Sequence, residues 1–287
     1  MKERRLSIFK KLGRFIRQKP LGALGASIVL VMVFLAIFAD LITPYDPTEV
    51  HPEFMKRPPS WAFPFGTDGA GRDQLSRVIY GSRISLLVGF LSVTFGTVLG
   101  AFLGIISGYF SGKVDMIIQR VMDMILAFPI LILALAIVAM LGASLANVIF
   151  ALAVVIMPGV SRVVRGSVLS IKENQYVEAA RTVGVKELRM ILVHILPNVT
   201  APIIVLATIN LGTAIITEAS LSFLGLGPPP PTPTWGAMLS GGRAMFEKTP
   251  WLAIFPGAAI SLSVLGFNLF GDALRDIWDP RLRGEGR

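Results

Sequence analysis

Six stretches of this chain are too long and too apolar for the core of an ordinary soluble domain: Leu21–Ile42, Ile84–Ile106, Val114–Leu141, Leu145–Val164, Thr200–Leu221 and Trp251–Phe270. A helix of about 20 residues, rising about 1.5 Å per residue, crosses the roughly 30 Å hydrocarbon core of a bilayer. Lipid offers backbone groups no hydrogen-bond partners, so a spanning segment must satisfy them internally, which a helix does. The expectation is an all-α, polytopic membrane protein with six transmembrane helices. Composition agrees, because only 16% of the 287 residues are charged, where soluble proteins carry about a quarter.

The first run follows Met1–Lys19, which holds eight basic residues and one acid. Its length exceeds the 7–15 residues of a cleavable signal's apolar region, so it reads as an uncleaved signal-anchor helix with its N-terminus inside. Six crossings then return the C-terminus to the same side. Lys and Arg support this orientation: the segments assigned inside hold 20 of them and those outside hold 7, as the positive-inside rule requires. The expected divisions are a cytoplasmic tail and first helix (1–43), an external loop (44–83), a five-helix core (84–272) and a cytoplasmic tail (273–287). The lipid bilayer, and not nucleic acid, is therefore the partner that the net charge of +9 suits.

Other classes of chemistry are poorly supplied. There is no cysteine for disulfides or thiol catalysis, and His51 and His194 stand far apart without a ligand cluster, so no catalytic residues and no metal site are expected. Gly112-Lys113 lacks the rest of a phosphate-binding loop, and Gly66–Gly71 lacks the strand-then-helix context. Asp68, Arg72, Asp73, Arg77 and Arg83 read instead as an ion-paired segment at the external face. Gly96, Gly100, Gly104 and Gly108, extended by Ser92, recur every four residues and predict a close helix–helix approach. Phe128-Pro129 predicts a kink and Pro158-Gly159 an interruption, while Trp235 predicts an interfacial anchor. Asp123 lies one turn after Arg120, and local pairing is the expectation. Glu218, near the outer end of the fifth run, must face a bundle interior, a partner or water. It reads either as a translocation-path or gating group or as a hydrogen-bond anchor, with Asn210 and Thr213 on an adjoining face.

Between the fourth and fifth runs lies a polar island, Ile171 to Asn198. Asn174 is placed to cap a helix, and Gly184 to stop it in the left-handed conformation. A second helix, Lys186 to Ile195, is expected to end at Pro197. Apolar residues recur at helical spacing (Tyr176, Val177, Ala180 and Val183, then Leu188, Ile191, Leu192 and Ile195), giving each piece an apolar face. The pattern alone permits an amphipathic loop lying on the membrane surface.

Glu178-Ala179-Ala180, then Gly184 after three residues, then His194-Ile195-Leu196-Pro197 after nine, resembles the EAA loop of ATP-binding-cassette importer permeases. His194 stands at the position where that signature has Ile. The strings GTDGAGRDQLSRVIYGSRISL and LSFLGLGPPPPTPTWGAML are similar to segments of dipeptide, oligopeptide and nickel importer permeases, and most resemble the C-type subunit. The likeness extends over nearly the whole chain beyond residue 60. It implies the type I importer permease fold and a prokaryotic plasma (inner) membrane location. Glu178, Ala179, Ala180, Gly184, Leu188, His194, Leu196 and Pro197 would form a coupling helix docked on a separate ATPase. The partners implied are a homologous permease, two ATPase subunits, an external solute-binding protein and a peptide cargo. The chain would bind no cofactor itself; ATP and Mg would serve the ATPases. Nickel or glutathione remains an alternative cargo. An ion-coupled secondary transporter would instead show repeats and midplane charges, and a membrane scaffold would use the same amphipathic loop merely to bind a partner.

Overall fold

The computed structural model describes Arg17 and residues 19–278. The remainder of the basic N-terminal tail and residues 279–287 of the C-terminal tail lie outside the described residues. The chain is built from α1 (Pro20–Ile37), α2 (Gln74–Phe110), α3 (Gly112–Leu126), α4 (Ile130–Leu141), α5 (Leu145–Lys172), α6 (Gln175–Thr182), α7 (Leu196–Phe223), α8 (Trp235–Arg243) and α9 (Trp251–Trp278). Among the described residues, five helical segments are long and apolar enough to cross a membrane by themselves, and α3 with α4 makes a sixth crossing when taken as one bent pair.

The glycine stripe sets the centre of the bundle. A Cβ added at Gly96 would meet the Ala153 carbonyl at 2.8 Å, one at Gly100 the Met157 carbonyl at 2.5 Å, and one at Gly104 the Ser161 carbonyl at 2.5 Å. Only hydrogen fits at each point, so α2 and α5 approach to backbone contact, where dispersion accumulates without help from the hydrophobic effect. The pairings rise together in both numbers, so the two helices run parallel. A parallel pair needs a return crossing, and α3–α4 supplies it.

That return is sharply bent. Phe128-Pro129 turns the chain by 90° between α3 and α4, far more than the kink expected from sequence. Pro129 precedes the first residue of α4 and gives that helix a fresh start. Ala134 and Val138 of α4 belong to one buried cluster with Val148, Ala151, Leu152 and Val155 of α5. By contrast α5 is continuous through Pro158, correcting the expected interruption. Its proline ring is buried among neighbouring helices, a setting in which spanning helices tolerate the lost hydrogen bond.

The remaining helices alternate in direction. Ile215 and Glu218 of α7 approach Gly89 and Ser85 of α2, so α7 is antiparallel to α2. Asn268 of α9 sits against Gly212, and Gly271 against Ile209, so α9 reverses again. Gly25 of α1 packs on Gly266, and Lys19 reaches Asp276 at 2.5 Å. The first and last crossings therefore meet at one end of the bundle, the same end that carries the polar island.

The opposite, distal end is tied together through polar groups, most of them buried, although the Arg83–Asp40 pair is exposed. Asp73 caps α2 by accepting from the Ser76 N–H at 2.8 Å, rather than joining the expected ion-pair set. Arg72 and Arg77 lie 2.8 and 3.6 Å from Asp68, and Arg83 lies 3.0 Å from Asp40. Trp235 is wholly buried over Gly81 and donates to the Val78 carbonyl at 2.9 Å. It is a core residue, not an interfacial anchor, because the missing side chain at Gly81 leaves room for its ring.

Candidate functional site

The polar island is held on the ends of α2 and α5 by a small apolar core. Val177, Met190, Ile195 and Val199 are buried against Ile105 and Tyr109 of α2 and Val164 and Val168 of α5. Ala180, Val185, Ile191 and Leu196 close the edge of that cluster. Polar ties reinforce it: Tyr109 Oη donates to Glu187, and Lys172 Nζ donates to the Tyr109 carbonyl at 2.8 Å and to Ser111 Oγ at 3.0 Å.

Helix α6 carries Glu178, Ala179 and Ala180. Asn174 occupies the cap position, but its side chain makes no capping bond. Gly184 has φ +78° with open space around its Cα. A side chain there would meet no atom but would strain the backbone, which is the reason for glycine at the corner.

The expected stop at Pro197 does not occur. Glu187–Arg189 leads into a π-helical stretch, Met190–Ile195, which runs directly into α7. Widening the turn to a five-residue repeat relieves the clash that a proline ring would make with an α-helical carbonyl, and Pro197 then falls in the first turn of α7. Asn198 Nδ2 donates to the His194 carbonyl at 2.7 Å. The corner is thus wired without a break into a spanning helix.

The apolar residues of the island divide between two faces. Val177, Ala180, Ile191 and Ile195 point inward, while Tyr176, Val183, Leu188 and Leu192 are exposed, Val183 by 80% and Leu188 by 69%. Glu178, Ala179, Gly184 and Pro197 are exposed with them, whereas His194 and Leu196 are half-buried, His194 beside Tyr176. An apolar surface rimmed by polar residues at the tip of a membrane bundle has the form of a docking site.

Residues 96–284 match the family described as the inner membrane component of binding-protein-dependent transport systems. Residues 7–59 match the N-terminal transmembrane domain of oligopeptide transport permease C. The chain belongs to the dipeptide and oligopeptide permeases of this family. It is 46% identical to the dipeptide transport system permease protein DppC of Alkalihalophilus pseudofirmus, over 93% of this chain and 88% of that one. It is 45% identical to the di/tripeptide transport system permease protein DppC of Pseudomonas aeruginosa, over 91% and 89%. It is also 44% identical to the glutathione transport system permease protein GsiD of Escherichia coli, over 94% and 90%. The permease is accordingly a multi-pass inner-membrane protein of the ATP-binding-cassette importer class.

Of the interior candidates in this permease, Glu218 is fully buried and accepts from Ser85 Oγ at 3.0 Å and Ser222 Oγ at 2.7 Å. Asn210 is half-buried and Thr213 exposed, so the three do not converge. Asp123 pairs with Arg162 of α5 and not with Arg120. Its partner lies on the neighbouring helix, 39 residues later in the chain.

Two sets of contacts escaped the sequence reading. Tyr109 and Lys172 fix the island to α2, and Asp115 forms a two-pronged pair with Arg165, both contacts at 2.6 Å. Asp115 and Arg165 are separated by 50 residues, and no local pattern joins them.

Proposed function

We propose that this permease forms half of a peptide translocation path and that the 171–198 segment transmits force from a cytosolic ATPase. The observation that carries the reading is the divided apolar surface of the island: one face is anchored in the bundle and the other is left open beside Glu178, Ala179 and Gly184. A homologous permease would supply the other half of the path, two ATPase subunits the drive and an external binding protein the cargo. The end bearing the island, and with it both chain termini, faces the cytoplasm in this reading, in agreement with the bias of Lys and Arg. ATP and Mg act on the ATPases, and the permease itself needs no cofactor.

Closure of the ATPase dimer would push the docked corner. The π-helical junction passes that displacement to α7, and the α2–α5 seam moves as one body because it cannot compress. Glu218, tying α7 to α2 near the outer end, serves as the point about which the path opens, with Asn210 and Thr213 offering polar groups along it. Di- and tripeptides are the favoured cargo, as the names of the relatives suggest, and glutathione is a tripeptide within that class. The test is ATP-driven uptake of a labelled dipeptide by the reconstituted complex. Ala179→Arg or Gly184→Asp is expected to abolish uptake while ATP hydrolysis persists; wild-type uptake in both variants would overturn the coupling role.

A further inference from the structure

At the end of the bundle that carries the island, α3 packs beside α5 and leaves a cleft of about 530 Å³, lined by Asp115, Gln119, Arg120, Asp123, Arg162 and Arg165. That volume lies in the range of small-molecule sites. Its two ion pairs differ in character. Asp115–Arg165 is two-pronged, largely shielded and reinforced by the Ser107 hydroxyl. Asp123–Arg162 is half-exposed on both sides, and such pairs contribute little that a competing ion could not replace. Arg120 is exposed and makes no ion pair among the described residues. The cleft therefore holds one fixed pair, one exchangeable pair and one uncompensated guanidinium.

We infer that this cleft is an exit-side binding site for peptide cargo bearing a carboxylate. The carboxylate seats on Arg120 and Arg162, and the peptide ammonium takes the place of Arg162 on Asp123. The alternation of charge fits a zwitterion, and the surplus cation favours a peptide with one additional carboxylate. A wholly anionic ligand such as a phosphate headgroup would meet Asp115 and Asp123. The weakness of the exchangeable pair suits a site that must also release its ligand. The inference rests on the peptide-importer reading and gives it a substrate preference on the exit side.

Proteoliposomes carrying the complete complex, with ATP inside, would be preloaded with either unlabelled Ala-Glu or Ala-Ala, and inhibition of labelled dipeptide uptake measured. The external binding protein is the same in every vesicle, so its own preference cancels. Internal Ala-Glu is expected to inhibit at lower concentration than Ala-Ala. Arg120→Gln should raise the Ala-Glu requirement about fivefold, as one solvated charge pair permits, with a smaller rise for Ala-Ala, whose single carboxylate keeps Arg162; Arg120→Lys should restore most of the difference. An unchanged ratio in Arg120→Gln and Arg162→Gln, with uptake intact, overturns this site alone. An effect that follows the anionic-lipid content of the vesicles and ignores internal peptide overturns it in favour of a lipid headgroup. Failure of wild-type vesicles to take up any peptide overturns the cargo reading and this inference together.

Discussion

The two ends of the bundle are built in opposite ways. The distal end is closed by buried groups with long-range partners: Trp235 on Val78, Gln74 on Leu252, Arg77 on Pro47 and Glu218 on Ser85. The end bearing the island keeps two of its ion pairs, Asp123–Arg162 and Lys19–Asp276, partly in solvent and leaves Val183, Leu188 and Leu192 uncovered. A buried hydrogen-bonded group is costly to disturb, while a solvated pair exchanges its partners at little cost. The contrast teaches where this molecule can yield: displacement at the coupling corner is cheap locally and reaches a distal end that resists it.

The largest expected effect strikes the rigid end. Trp235→Ala removes a fully buried ring and should lower stability by roughly 4 kcal/mol, read as a large fall in thermal unfolding midpoint in detergent. Next comes the seam that joins the two ends. Gly100→Leu forces a side chain onto the Met157 carbonyl and should cost roughly 3 kcal/mol; a well-assembled variant with unchanged midpoint would break the claim that α2 and α5 move as one body. Glu218→Ala strands the Ser85 and Ser222 hydroxyls and should cost roughly 1–3 kcal/mol. Glu218→Gln, which keeps one acceptor oxygen and offers an N–H to the other hydroxyl, should cost less. At the yielding end, Asp123→Asn should alter stability by no more than about 1 kcal/mol, and a loss as large as that of Glu218→Ala would erase the contrast.

How much of this was legible in the sequence follows from the range of each signal. Spans and the glycine stripe are local periodicities, so α2 and its contact face could be read directly. The corner at Gly184 was equally plain, since a left-handed residue ends a helix wherever it occurs. Trp235 was misplaced because its burial depends on Gly81, more than 150 residues earlier, and Asp123 because its partner lies on another helix. Pro158 and Pro197 were read as breaks, yet one lies buried among neighbouring helices and the other is reached through a widened turn. The division of the island into anchored and open faces was hidden for a related reason: helical spacing identifies apolar positions, but only packing on α2 and α5 decides which are used.

The absence of cysteine from the sequence allows the central claim to be tested with single thiols. Val183→Cys would be placed on the open face of the corner and Trp61→Cys at a fully exposed position of the distal loop. Maleimide labelling would be followed with and without the ATPase subunits. If the corner docks an ATPase, the thiol at position 183 is labelled in the permease alone and protected in the complex, while the thiol at position 61 is labelled in both. Equal labelling at position 183 in a complex that hydrolyses ATP and imports peptide would contradict the account.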